Sequence, residues 1–321
     1  MKPPYEITNR ILSLISSISE KIGEVKSAHL QSSPTDLRKK NRIKTIQSSL
    51  EIEGNTLTIE QITDIINNKR VLAPKKDILE VKNAIEVYSR INEFKVYHLK
   101  SLCKAHGILM EGLVDAPGKL RTTSVGIVKG ENVTHLAPPG DMVYSLINDL
   151  FNYLKNDDDI LLVKSCVFHY EFEFIHPFVD GNGRMGRLWQ TMILKEYSPI
   201  FEFLPIESIV KNRQQDYYSA LGKSDDQGSS TIFIEFMLNV INDALEELLR
   251  IQNPSITNKD RIQLFKDIIG KAFFTRQDYL RHNKDISSAT ASRDLRNAVE
   301  SGILEKIGEK RLTKYKFKLQ N

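Results

Sequence analysis

The stretch His176-Pro177-Phe178-Val179-Asp180-Gly181-Asn182-Gly183-Arg184-Met185-Gly186-Arg187 constrains this chain more than any other. Three glycines within six positions let the backbone turn tightly and come close to a ligand. Phe168, Phe172 and Ile175 precede it at helical spacing, and Leu188-Trp189 and Met192-Ile193-Leu194 follow it. The pattern predicts two apolar helices joined by a glycine turn that feeds the start of the second. Pro177 disfavours helical geometry at the residue before it, so the first helix is expected to end at His176, with that residue extended.

Exposed N–H groups at a helix start, with glycines before them, form an anion site. Arg184 and Arg187 are three apart on the new helix and share a face. Two guanidinium forks beside such a nest suit a polyphosphate. Asp180 is placed as one carboxylate ligand for Mg²⁺, which commonly takes one or two carboxylates plus phosphate oxygens. His176, just before the nest, is placed to take a proton from an incoming hydroxyl. A calcium loop is excluded, because Thr191 stands where the twelfth-position Glu is needed, and the chain has no Gly-x4-Gly-Lys-Ser/Thr phosphate loop.

His176-x-Phe178-x-Asp180-Gly181-Asn182-Gly183-Arg184-x-x-Arg187 resembles the complete Fic motif, with no departure at a defining position. The resemblance extends from about residue 5 to residue 250. It implies a mainly α fold, a Fic helical bundle with a β-hairpin flap. It also implies transfer of a nucleoside monophosphate, usually AMP from ATP, to a Ser, Thr or Tyr hydroxyl of a target protein. By that resemblance His176 is the general base, Phe178 packs into the core and holds the loop, and Asp180 binds Mg²⁺. Gly181 belongs to the phosphate loop, Asn182 and Gly183 contact phosphate oxygens, and Arg184 and Arg187 hold the β- and γ-phosphates. Tyr217-Tyr218 and Asp225-Asp226 resemble the family's adenine-side segment, with Tyr218 against the base. Another nucleotide donor, or removal of AMP from a modified target, is not excluded.

A second feature is Ser48-Ser49-Leu50-Glu51-Ile52-Glu53-Gly54-Asn55. Ser49 and Glu53 lie four apart, on one helix face. Glu53 falls in the last turn, where the helix dipole disfavours an acid by roughly 0.3–1 kcal/mol. A cation elsewhere could offset that. Ser49-x-x-x-Glu53-Gly54 resembles the inhibitory motif of Fic proteins that carry the inhibitory helix before the core. The resemblance implies that Glu53 pairs with Arg187 in the place of the γ-phosphate.

The remaining chain reads mostly helical. Ile11, Leu14, Ile15, Ile18 and Ile22 make one apolar stripe, and further helices are expected from about residue 38 to 53, 58 to 66, 76 to 91, 142 to 155 and 160 to 175, then near 214 to 221 and 231 to 253. Residues 122–128 and 133–136 predict a β-hairpin with a four-residue loop. By resemblance this hairpin is the flap on which an extended target segment docks by strand addition. Three regions are expected: an N-terminal helical region with the inhibitory helix (1–110), the Fic core (111–253) and, after a linker near 254–258, a C-terminal domain (258–321).

The net charge of +4 divides unevenly. Residues 258–321 carry 15 Lys and Arg against 8 Asp and Glu, or +7, and the rest of the chain is −3. Three helices, with Thr275 and Asp278 as a capping box for the second, then two strands around the basic loop Gly308-Glu309-Lys310-Arg311, predict a winged helix-turn-helix. Ser288, Thr290, Ser292, Arg293 and Arg296 on its third helix suit a major groove. DNA and protein both stay open as its partner. A nucleotide-sensing DNA-binding regulator is the alternative to an autoinhibited, ATP- and Mg²⁺-dependent transferase, and a homodimer also stays open. No apolar run approaches the roughly 18 residues of a membrane span. Cys103 and Cys166 fit no metal or redox spacing and are expected to be buried. A reduced, soluble, cytoplasmic protein is the expectation.

Overall fold

Helix stripes and caps build most of the chain. The computed structural model describes residues 2–27, 35–129, 132–252, 258–270, 272–283, 286–308 and 313–318. The chain divides into two compact units, Met1–Leu249 and Arg250–Asn321.

In the first unit, α1 (Asn9–Ser27) buries Ile11, Ile18 and Ile22 of the expected stripe. Helix α2 (Thr35–Ile52) ends before Gly54, whose φ of +92° suits a residue without a Cβ. Helix α3 (Ile59–Ile66) opens on a capping box between Thr58 and Gln61, and α4 (Lys75–Ser89) follows. Helix α5 (Leu99–Leu109) is not among the helices that the sequence predicts. Its interrupted apolar spacing, Leu102, Ala105 and Leu109 around a buried His106, is what hides it.

Strands β1 (Gly126–Lys129) and β2 (Asn132–Leu136) pair antiparallel, with Lys129 opposite Asn132. The pairing therefore reaches further into the expected four-residue loop, and the strand begins at 126 rather than 122. A bulge between Ile127 and Val128 interrupts the register. Residues 130–131 of the expected turn lie outside the described residues.

Helices α6 (Val143–Asn156), α7 (Leu161–Ile175) and α8 (Asn182–Tyr197) follow. After them come a 3₁₀ turn at Pro199–Phe203, α9 (Ile206–Asn212), α10 (Gln214–Gln227) and α11 (Thr231–Gln252). Helix α7 packs along α8, and both are buried nearly all round, as expected for a central pair. Trp189 on α8 is fully buried and its Nε1–H donates to the Val96 carbonyl at 2.9 Å. One apolar core runs from Ile11 to Leu248, so α2 and the glycine-loop helices α7 and α8 share a core. Cys166 is buried, but Cys103 is only half-buried, because it sits on the outer side of the short helix α5. Among the described residues no helix is long and apolar enough to cross a membrane.

The second unit holds α12 (Asn258–Ile269), α13 (Arg276–His282), α14 (Ser288–Glu300) and the antiparallel pair β3 (Leu304–Ile307) and β4 (Lys314–Phe317). Ile262, Phe265, Phe274, Tyr279, Leu295, Leu304 and Phe317 form its own core. The expected capping box is present in both directions between Thr275 and Asp278. The buried Asp294 carboxylate receives Arg261 at 2.8 Å and the Tyr279 hydroxyl at 3.3 Å. Residues 254–257 of the expected linker and 309–311 of the expected basic loop lie outside the described residues.

At the root of the hairpin Gly140 lies against the Thr122 backbone, so a Cβ there would collide with main-chain atoms that have no rotamer to yield. Gly140→Ala is expected to lower stability by about 1–3 kcal/mol, as overpacking does. Chemical denaturation measures this as a lower midpoint at unchanged slope.

Candidate active site

The chain leaves α7 by an unusual route. His176 has φ 49° and ψ 60°, the left-handed region, which corrects the extended geometry expected before Pro177. Such a residue costs on the order of 1–3 kcal/mol unless its surroundings impose it. Here they do. The His176 N–H donates to the Phe172 carbonyl at 3.0 Å, and the His176 carbonyl accepts from Arg121 Nε at 2.6 Å. A carbonyl can only accept, so the 3.3 Å contact of His176 Nδ1 with the Glu173 carbonyl carries the ring proton on Nδ1. The basic lone pair of the neutral imidazole is then on Nε2.

The turn is closed from within. Asn182 Oδ1 accepts from the Phe178 N–H and its Nδ2 donates to the Phe178 carbonyl, both at 2.9 Å. Its side chain is thereby committed to the loop. Of the group expected to contact phosphate, the side chain is thus occupied within the loop, and the Asn182 backbone stands at the first turn of α8. Phe178 is fully buried and stacks on His106 of α5, with ring centroids 3.6 Å apart. His106 accepts from the Gly118 N–H at 2.8 Å through Nδ1 and meets the Asp180 carbonyl at 3.0 Å through Nε2. Sequence reasoning missed His106, for it lies 70 residues upstream on a helix that no clear stripe announces. Gly181 caps α8 with φ +83° against the Met110 thioether.

The two arginines on the shared face of α8 have different surroundings. Arg184 is buried and reaches Glu80 and Asp180, each at 3.2 Å. It is held by Glu80, a buried carboxylate on α4 that the motif does not contain, and is not among the residues that line the cleft. Arg187 does line the cleft. Its Nη2 lies 2.7 Å from Glu53 Oε1 and 2.9 Å from the Ser49 carbonyl, and its Nε donates to Ser49 Oγ at 3.1 Å. The expected pairing is therefore the observed one. Burial is the largest influence on the Arg187 pKa and lowers it, but the charge and hydrogen bond of Glu53, together with the Tyr217 and Glu173 charges, outweigh it, so the guanidinium stays charged.

The cleft has a volume of about 560 Å³, within the range of small-molecule sites. His176, Gly183, Arg187, Glu53, Tyr218, Leu221, Asp225 and Asp226 are among the residues that line it. Tyr217 packs into the core, its hydroxyl 3.1 Å from His169 Nε2, while the half-buried Tyr218 meets the open space. Burial holds His169 neutral, with its pKa near 3. Burial, with the Asp225 charge adding, raises Glu171 to about 7. Asp180 keeps half its side chain exposed, with the Gly181 N–H and Arg184 both on Oδ1. Among the described residues no cluster of three or more metal-ligating groups exists. A single exposed carboxylate beside an anion nest fits Mg²⁺ carried in on phosphate oxygens.

A buried helix start, a glycine turn, and an imidazole that lines the same cleft as a carboxylate-bound arginine suit a group-transfer site of the nucleotide-handling kind. The Fic/DOC family model matches residues 96–194. A Fic family protein from Desulfovibrio desulfuricans G20 is 40% identical, with a TM-score of 0.76, over 100% of this chain and 99% of that one. The chain belongs to the Fic/DOC family. A probable protein adenylyltransferase of Aquifex aeolicus is 28% identical over 240 residues, 67% of this chain and 73% of that protein. The protein adenylyltransferase fic-1 of Caenorhabditis briggsae is 28% identical over 214 residues, 60% of this chain and 39% of that protein. The chain thus spans well under half of that animal relative. A solved fragment of Caenorhabditis elegans Fic-1 shares the fold alone, at 17% identity and a TM-score of 0.60, over 77% of this chain and 72% of that one.

His106 gives the loop a pH signature. Burial lowers its pKa from 6.5 to about 4, against the opposing Asp180 backbone contact. The unfolded imidazole protonates first, so its contribution to stability is full above about pH 6.5 and is lost progressively as pH falls toward 4. His106→Gln is expected to melt lower at pH 7 and to show a shallower fall in Tm between pH 6.5 and 4 than the parent, measured by calorimetry.

Proposed function

We propose that this chain is a protein adenylyltransferase that transfers AMP from ATP to a protein hydroxyl and is held inactive by Glu53. The observation that carries the reading is the contact of Glu53 with Arg187 at 2.7 Å, inside the cleft that His176 lines. The names of the Aquifex and Caenorhabditis relatives support the reaction class.

In this reading the triphosphate lies along the N-terminus of α8, where the Gly181 turn leads into the backbone N–H groups of Asn182 and Gly183. His176 Nε2 takes the proton of the attacking Ser, Thr or Tyr hydroxyl. A bond forms between the hydroxyl oxygen and the α-phosphorus, the bond to the bridging oxygen breaks, and pyrophosphate leaves. Asp180 would hold Mg²⁺ together with phosphate oxygens, and the ion would supply charge neutralisation. Such transfers need mainly positioning and electrostatic stabilisation. Tyr218 would pack on the base. An extended target segment would add to the hairpin of β1 and β2, a flap in this reading, and bring its hydroxyl to His176.

The brake follows from charge and space. Arg187 cannot bind the Glu53 carboxylate and a terminal phosphate equally at once. Glu53 also stands against Gly183, beside the helix start that the phosphates would use.

The second unit reads as a winged helix that binds DNA. Arg293 and Arg296 are exposed on α14, while Ala291, Leu295 and Ala298 on its other face are buried. That is the division a recognition helix needs. Arg293→Ala with Arg296→Ala is expected to weaken binding to duplex DNA and to reduce the salt dependence by about one unit of slope for each phosphate left unneutralised. Salt-independent or absent binding in the parent would refute it.

The transferase test uses α-labelled ATP with Mg²⁺. Glu53→Gly is expected to label itself or a target at least about 10-fold more than the parent, given roughly 1.5–3 kcal/mol for a charged hydrogen bond. Adding His176→Ala should remove that signal by about 10²–10⁴-fold. Equal labelling of Glu53→Gly and parent would overturn the brake. Labelling that survives His176→Ala would overturn the assigned base.

A further inference from the structure

Arg121 stands outside the family motif, yet it touches the backbone on both sides of the site. It is buried, with 3% of its surface exposed, and its partners are main-chain carbonyls. Nε donates to His176 O at 2.6 Å, and Nη2 donates to Ile175 O at 2.9 Å. Nη1 donates to Thr123 O at 2.7 Å, and Nη2 also donates to Pro138 O at 2.8 Å. The Arg121 N–H adds a fifth bond, to Pro177 O at 2.9 Å. Three acceptors are thus the last residues of α7 and the turn after it. The other two flank the hairpin, one before β1 and one after β2.

We infer that Arg121 is a positioning residue that locks the left-handed turn at His176 to both legs of the hairpin root. This inference rests on the transferase reading above. The carbonyls at the end of α7 lack helical partners and carry the negative end of its dipole, so a cation is the suitable cap. Only arginine offers five N–H groups in a fixed planar fork, which is what four carbonyls converging from two directions require. The guanidinium fixes the distance between the imidazole and the strand edge. A hydroxyl registered on the hairpin is thereby registered on His176 as well. Nucleotide binding needs none of this, because Arg187, Gly183 and the start of α8 lie beyond the turn. No sequence pattern marks the role, since Arg121 sits in a polar stretch before the first strand.

The experiment places Arg121→Lys and Arg121→Gln in the Glu53→Gly background. It measures three quantities: affinity for ATP with Mg²⁺, rate of AMP transfer to a target or in autolabelling, and amide hydrogen exchange across residues 121–140 and 176–181. The expected result is ATP affinity within about 3-fold of the background protein and transfer slowed about 10²-fold, the scale of a small misplacement at a reacting centre. Lysine should recover part of the rate. Exchange should rise together in the hairpin root and the His176 turn, which is a readout independent of activity. A transfer rate unchanged in a folded Arg121→Lys variant would overturn the inference. So would a loss of ATP affinity matching the loss of rate, or faster exchange in one segment alone. If the Glu53→Gly background itself transfers nothing, the transferase reading fails. The exchange measurement still decides whether Arg121 couples the two segments.

Discussion

A buried guanidinium needs an anion, and Arg187 is where that requirement organises the molecule. The side chain is 3% exposed, in a part of α8 where Leu188, Trp189 and Met185 are also buried. Leaving such a charge without a partner costs on the order of 3–5 kcal/mol. Helix α2 meets the requirement by bringing Ser49 and Glu53 to it. That in turn fixes how α2 lies on α8, α9 and α4. Gln214, at the start of α10, donates to the Ile52 carbonyl at 2.9 Å and ties the end of α2 to the segment that carries Tyr218. Anything that takes Arg187 from Glu53 has to be negative and has to enter from the cleft.

Arg184, one turn earlier, shows how much a neighbour decides. The two arginines are equivalent in the motif and in helical phase. Glu80 holds Arg184 between α4 and the Asp180 loop, while Glu53 holds Arg187 at the wall of the cleft. A carboxylate that is buried serves architecture here. Glu53, on Arg187, keeps a third of its side chain in solvent, and in the reading proposed above it is the one that yields to a phosphate.

Most of the fold was legible because it follows local rules. Apolar stripes placed α1, α6 and α11, glycine ended α2, and Thr275 opened α13. The site was legible where chemistry is compact in sequence: His176, Asp180, Gly183 and Arg187 lie within twelve residues, and Ser49 and Glu53 share one helical face. What stayed hidden is contributed by segments far apart in the chain. His106 under Phe178, Glu80 beside Arg184 and Arg121 across the hairpin root each act through contacts with residues far away in the chain. No periodicity marks a residue for such a contact. The geometry of His176 was misjudged for a related reason. The local preference before Pro177 points to an extended residue, and three hydrogen bonds, one of them from the distant Arg121, override it.

The closeness of Gly183 to Glu53 ties two parts of the cleft to one atom position. A methyl group at position 183 would occupy the volume of the carboxylate, with Arg187 Nη1 only 3.1 Å away. In the reading proposed above, the same methyl would stand over the helix start that an incoming phosphate uses. A side chain at 183 would then unseat Glu53 and crowd the donor in one step, whereas a change at Glu53 or Ser49 alters the grip on Arg187 and leaves the loop backbone as it is.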